Sequence, residues 1–131
     1  MLNYSLRAIK RYSKNHEWID LDGENGLLGI SSYLSHHIGD VNYAILNSIQ
    51  KYKAGEEIGT VEASKNSIPV LAPIDLTVLE GNTLLDNEPS LINKSSERKG
   101  WIAKIKIQNE NDFNGLMDRE AYLKFVESTT Q

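Results

Sequence analysis

Residues 61–73, VEASKNSIPVLAP, set one lysine, Lys65, between two runs that read as β-strands, 58–63 and 68–72. Asn66 tolerates positive φ better than most residues, so Lys65 and Asn66 are expected to form a tight hairpin tip with the amine in solvent. A lone cation at such a tip has three readings. A salt bridge would want an opposing acid across the strand, and a solubilising charge could sit anywhere. The third reading is a lysine displayed so that an enzyme can attach something to it. At a free pKa near ~10.4 the amine is mostly cationic and a poor nucleophile, so activation would fall to the attaching enzyme's pocket. Spacing alone leaves an ordinary exposed lysine and a modified one both open.

Outward from the hairpin, short strands dominate. HEWIDLDGENGLLGIS reads as a second hairpin turning at Asp22 and Gly23, and VNYAIL (41–46) as a strand followed by a polar connection, NSIQKYKAGEE. LTVLE ends at the turn signal formed by Gly81 and Asn82. Residues 84–93 read as a loop around Pro89. GWIAKIKI (100–107) alternates apolar Trp101, Ala103, Ile105 and Ile107 with polar positions, so Trp18 and Trp101 are both expected in strands, packing the core. Two helices punctuate the pattern. SSYLSHHIGD has Ser31 as N-cap, Leu34 and Ile38 on one face, and Gly39 as the stop. MDREAYLKFVES closes the chain, with Asp118 as cap and Tyr122, Phe125 and Val126 as the buried stripe. The expected architecture is mainly β, a small sandwich or flattened barrel with short peripheral helices and a C-terminal helix.

Composition narrows the function classes. At 131 residues the chain suits one domain with a real core. It has no cysteine, which removes disulfides, thiol nucleophiles and thiolate metal sites. Residues 1–14 hold Arg7, Lys10, Arg11 and Lys14 and no acid, leaving 10 bases against 18 acids in the remainder. That acidic body argues against nucleic acid, and no apolar run approaches the ~20 residues of a membrane span. Residues 1–11 are expected to be a basic lead-in, the strands to begin near Tyr12, and 12–131 to form one domain. A cleaved mitochondrial presequence is the alternative reading of the leader. His36 and His37 are adjacent and diverge on a helix, His16 is remote, and no ligand spacing appears, so no metal site is expected. Neither a G-x-S-x-G elbow nor a phosphate-binding glycine loop is present, and no catalytic constellation appears.

An ordered series of motifs then resembles one family. YSKNHEW leads to GIS and HIGDV, then to AGEEIGTVEASK, with AP eight residues past the lysine; LEGNTLLDNEPSLIN, GWIAKIKI and EAYLKF follow. Over about 12–125 this resembles the H protein of the glycine cleavage system, a lipoyl carrier. The resemblance implies a lipoyl/biotinyl-type barrel-sandwich hybrid and a protein without turnover of its own. It implies lipoate bound covalently on Lys65, with Glu62 contributing to recognition by the attaching lipoate ligase or octanoyl/lipoyl transferase. Its implied role in glycine catabolism is to shuttle the aminomethyl group on the lipoyl-lysine among glycine decarboxylase (P protein), aminomethyltransferase (T protein) and dihydrolipoyl dehydrogenase (L protein).

The family folds its loaded arm into a surface cleft whose positions map onto Glu17 and His37. Here Glu17 would face the cationic amine and His37 would help close the pocket. The bland readings are a surface carboxylate and a helix end. The chain departs from the family pattern at Pro69, where an acid is usual, and at Leu76, where a turn glycine is usual. It also departs in LNSIQKY, which lacks the usual Pro and Gly. Glycine cleavage is therefore weighed against a lipoyl relay to other dehydrogenase complexes, or lipoate scavenging, and against an unmodified scaffold. A biotin carrier fits less well, because Ser64 and Asn66 flank the lysine where methionines would be expected. A monomer in the bacterial cytoplasm is expected, with the mitochondrial matrix as the alternative.

Overall fold

A computed structural model describes residues 9–23 and 25–129. The described residues build nine strands and five helices in the order β1 (Ile9–Tyr12), β2 (Glu17–Asp22), β3 (Asn25–Ile30), α1 (Ser32–Ile38), β4 (Val41–Leu46), β5 (Lys51–Tyr52), β6 (Glu57–Ala63), β7 (Ser67–Leu71), β8 (Leu76–Gly81), α2 (Leu84–Asn87), α3 (Leu91–Lys94), β9 (Ala103–Ile107), α4 (Glu110–Asn114) and α5 (Arg119–Thr129). A six-stranded sheet, β1-β2-β3-β9-β8-β5, faces a three-stranded one, β4-β6-β7. All pairings are antiparallel.

Alternation decides what fills the space between the sheets. Ile19 and Leu21 of β2, Leu28 and Ile30 of β3, Leu76 and Val78 of β8, and Ala103 and Ile105 of β9 meet Val41, Ile58, Val61 and Val70 of the smaller sheet in one buried cluster. The opposite parity of the large sheet is also partly apolar. There Tyr12 and Trp18 pack under Tyr122 of α5, with Trp101, Met117, Phe125 and Val126 around them. The C-terminal helix thus covers half of an outer face that would otherwise be wet. Trp18 lies so close to β3 that a Cβ on Gly29 would sit 2.7 Å from its ring, which explains glycine there. Its indole N–H donates to the Ile30 and Ser96 carbonyls.

The mainly β sandwich with short helices is as expected, and four local expectations are corrected. The first strand opens at Ile9, so the basic lead-in overlaps the sheet; residues 1–8 lie outside the described residues. The polar connection after β4 contains β5, whose Tyr52 is buried opposite Leu76. Residues 84–93 are not a plain loop: two single-turn helices form because Leu85 and Ile92 are anchored in the core. Trp101 lies ahead of β9 and is only half-buried. After β9, Asn109 caps the short helix α4, its Oδ1 accepting from Asn111 N–H. At Leu76 the backbone is β-strand without positive φ, so the side chain fills the core unstrained and fully buried.

Candidate functional site

The β6–β7 hairpin is held in register by Val61 opposite Ile68 and Glu62 opposite Ser67. Inward-facing Val61 and Val70 are fully buried, which fixes the hairpin's face and aims its tip beyond the core. At that tip Lys65 is exposed, and among the described residues it forms no ion pair. The turn differs from the expectation for Asn66. Among described non-glycine residues only His16 has positive φ, at 70°, so Asn66 is not left-handed. Instead Ala63 N–H donates to the Asn66 carbonyl, and the tip is tied from outside.

The tie comes from the end of α1. Lys65 N–H donates to the Ile38 carbonyl at 3.0 Å, Ser64 N–H to the Asp40 carbonyl at 2.8 Å, and Asp40 N–H to Ser64 Oγ at 3.0 Å. Gly39 sits inside this clasp with φ of 84°, and a Cβ there would collide with Ser64 Oγ and come within 3.0 Å of Lys65 Cγ. Only glycine allows both the turn and the close approach. Asn93 of α3 supports the same turn: its Nδ2 donates to the Gly39 carbonyl and its Oδ1 accepts from Val41 N–H. The root of the Lys65 side chain therefore lies across a rigid glycine, while its amine is free.

α1 is itself fixed at both ends. Ser31 Oγ accepts from Leu34 N–H and from the Tyr122 hydroxyl, which stacks on Tyr12 at 4.4 Å. Burial raises Tyr122 to about 12, so it remains a donor across the working pH range. Glu97 accepts from Ser32 N–H and from the Tyr12 hydroxyl and lies 3.7 Å from Lys10 Nζ. Burial pushes its pKa up, but the Tyr12 and Ser32 hydrogen bonds and the Lys10 charge outweigh that and hold it below the usual value.

Glu62 is half-buried and faces outward from β6, where Ser67 Oγ donates to its carboxylate. Glu17 is elsewhere and different in kind. It is 1% exposed and so is no surface carboxylate. Ser13 Oγ donates to Oε1, while Asn15 Nδ2 and Leu71 N–H donate to Oε2. Burial raises its pKa, opposed by those three donors. His37 is exposed on α1, its ring tilted against that of Tyr33 with centroids 4.2 Å apart, and the Tyr33 carbonyl accepts from His37 Nδ1, which leaves Nε2 free. His36 instead lines a polar cavity of about 570 Å³ beside the clasp, together with Ser32, Ser35, Asp40, Asn93 and Arg98. Lys65, Glu62 and the α1 end thus come together, and Glu17 is tied to the far end of β7. The supporting roles of Ser64, Asp40 and Asn93 were not anticipated. Gly39 was legible only as a helix stop.

This arrangement offers an accessible primary amine on an immobile backbone, with no nucleophile–base pair around it. That suits acylation by another protein's active site. The family model described as "Glycine cleavage H-protein" matches residues 10–129. A glycine cleavage system H protein of Thermotoga maritima is 36% identical over 118 residues, covering 89% of this chain and 95% of that protein. The one from Caulobacter vibrioides is 38% identical over 117 residues, covering 88% and 97%. A mitochondrial one from Drosophila melanogaster is 34% identical over 126 residues, covering 95% and 76%. The crystal structure of a glycine cleavage system H protein from Mycobacterium marinum superposes with TM-score 0.74 over 93% of this chain and 97% of that one, at 22% identity.

Proposed function

The chain belongs to the glycine cleavage H-protein family, the non-catalytic lipoyl carriers of the glycine cleavage system, and from that premise we propose that Lys65 carries the lipoyl group through an amide at Nζ. One observation supports this most: the unpaired, exposed amine stands on a tip whose backbone is tied at Ser64 and Lys65 to the end of α1. The residues fit the group, because the Lys65 side chain passes beside Gly39 and is exposed. A lipoate ligase or octanoyl/lipoyl transferase would present an activated acyl group. The Nζ lone pair, freed of its proton in that enzyme's pocket, attacks the acyl carbon, the C–N bond forms, and the activating group leaves. The positive charge at the tip is lost. The bound group supplies a dithiolane, the redox-active sulfur pair that a cysteine-free chain lacks.

In this reading the chain presents and protects, and the chemistry belongs to glycine decarboxylase, aminomethyltransferase and dihydrolipoyl dehydrogenase in turn. Glu62, on the strand that leads to the tip, is the recognition residue for the attaching enzyme. His37 is exposed with Nε2 free to meet the end of the arm, whereas Glu17 would meet an amine only if Asn15 or Ser13 released it. The fold from Ile9 onward acts as one monomeric carrier domain. Among the described residues no helix is long and apolar enough to cross a membrane. We place the protein in the bacterial cytoplasm, with the mitochondrial matrix as the second reading that mitochondrial relatives support.

Pro69 favours a second reading, in which the lipoyl group is relayed to other dehydrogenase complexes. It stands exposed on β7 where the resemblance leads one to expect an acid, and it offers no carboxylate to an amine. The lipoylated protein, with its dithiolane oxidised so that the S–S bond can open as the C–S bond forms, incubated with glycine, glycine decarboxylase and its pyridoxal cofactor, separates the two. Glycine cleavage predicts release of labelled carbon dioxide and an aminomethyl mass increment on the Lys65 peptide. Normal lipoylation without loading would reject glycine cleavage in favour of relay.

A further inference from the structure

The solvent face of the three-stranded sheet is unusual for an antiparallel sheet, whose wet side ordinarily alternates to polar residues. On β4 the inward positions Ala44 and Leu46 pack on the core, yet the outward ones are Tyr43 and Ile45, 48% and 51% exposed. The pairing register carries this across the sheet in two rows. Tyr43 lies beside Glu62 and then Ser67, and Ile45 beside Thr60 and then Pro69, which is also exposed. The first row is the cross-strand pair next to the Lys65 tip. The second lies about 7 Å further along the strands, two residues at ~3.3 Å each.

Apart from Lys65 at the tip, the charges these strands carry are acidic. Residues 41–46 and 57–71 contain Glu57 and Glu62, and Lys65 is their single cation. Both carboxylates are held at the face by hydroxyls, Glu57 by Thr60 and Glu62 by Ser67. We infer that this face is the docking surface for the enzyme that acylates Lys65, and that its partner surface is an apolar patch bordered by lysine or arginine side chains next to the acyl pocket. The inference rests on the proposed acylation of Lys65.

Geometry selects this occupant. A pocket that takes in the Lys65 amine must bring its rim down on the residues around the tip. On one side the α1 clasp fills that space, so the open approach is over the Tyr43–Glu62–Ser67 row. Both rows fall within the footprint of a standard interface, about 800 Å² per partner. Strand addition at the β7 edge is disfavoured, because Pro69 has no N–H to pair and interrupts the ladder there. The face, rather than the edge, is what remains for recognition. Acylation removes the one cation of residues 41–46 and 57–71 and leaves Glu57 and Glu62, so the product keeps an attraction for basic surfaces that the tip amine no longer opposes.

The test is the steady-state acylation of the full-length apo-protein by a purified lipoate–protein ligase with lipoate and ATP, followed by intact mass. Ile45→Glu and Tyr43→Lys should raise KM for the carrier about tenfold with kcat little changed, and the milder Ile45→Ser should move KM the same way. Leu79→Glu, at an exposed position on β8 of the other sheet, should behave as wild type. Wild-type kinetics in all three face variants, with the wild type itself acylated, would overturn the docking surface while leaving Lys65 as the site. No acylation of the wild type would overturn both. If sedimentation shows a wild-type dimer that Ile45→Glu dissociates, the face is an interface between copies, and the inference also fails.

Discussion

The Lys65 tip and the Glu17 corner both hold residues that the family resemblance marks for function, and the fold treats them in opposite ways. At the tip the backbone is fixed by donors from Lys65, Ser64 and Asp40, and the functional atom is left without a partner. At the corner the backbone is ordinary strand, and the carboxylate itself takes three donors from Ser13, Asn15 and Leu71. A group that must be reached by another protein is presented by rigid surroundings. A group that closes a fold is consumed by them. The difference implies that the Lys65 side chain governs acylation with modest effect on stability, and that the Glu17 carboxylate governs stability with modest effect on acylation.

The strongest way to break this comparison is at Gly39. Replacement by valine puts a β-branched residue at φ of 84° against Ser64 and Lys65, so the clasp must open. A loss of about 2 kcal/mol or more is expected in chemical denaturation, and acylation of the folded fraction should slow as well. Glu17→Ala orphans three donors in a buried site and should cost about 2 kcal/mol, while the folded variant is acylated at the wild-type rate. Loss of acylation in a folded Glu17→Ala protein would contradict the division of labour. Asn93→Ala should cost about 1 kcal/mol and speed amide exchange at Val41, whose N–H it caps, without touching the melting of α5.

The smallest effect is a pH dependence at His16. Burial, and then the neighbouring His37, lower its pKa from 6.5, so the unfolded chain binds the proton more readily. Stability is therefore full above 6.5 and declines as pH falls through the folded value. Burial moves Glu17 the opposite way, so its contribution declines as pH rises from 4.5 towards its raised folded value. Asparagine tolerates the positive φ of this position, so His16→Asn should flatten the slope below pH 6.5. An unchanged slope would show that His16 does not carry it.

What was legible in the sequence was what local chemistry decides. α1 declared itself through Ser31 and Gly39, and the Asp22-Gly23 turn placed β2 and β3. Lys65 was legible because two strand-like runs, 58–63 and 68–72, leave only four residues between them. What was not legible depends on distant partners. Ile9, Lys10 and Arg11 make a strand only because β2 supplies the ladder, and Lys51 and Tyr52 only because β8 does. The burial of Glu17 is set by Leu71, 54 positions away, and the support of the tip by Asn93. Nothing in a glutamate's neighbours states whether its donors will arrive from across the fold. Gly39 was legible only in part for the same reason: its helix-ending role is local and stands, whereas its contact with Ser64 and Lys65 is tertiary.

The most direct test of the central claim is the intact mass of the protein expressed in a lipoate-fed host with a lipoate ligase, beside Lys65→Arg. A single lipoyl-sized increment on the wild type and none on the variant is the result predicted here. An unmodified wild type, under conditions that fully modify a control carrier, or an increment that survives in Lys65→Arg, would contradict it.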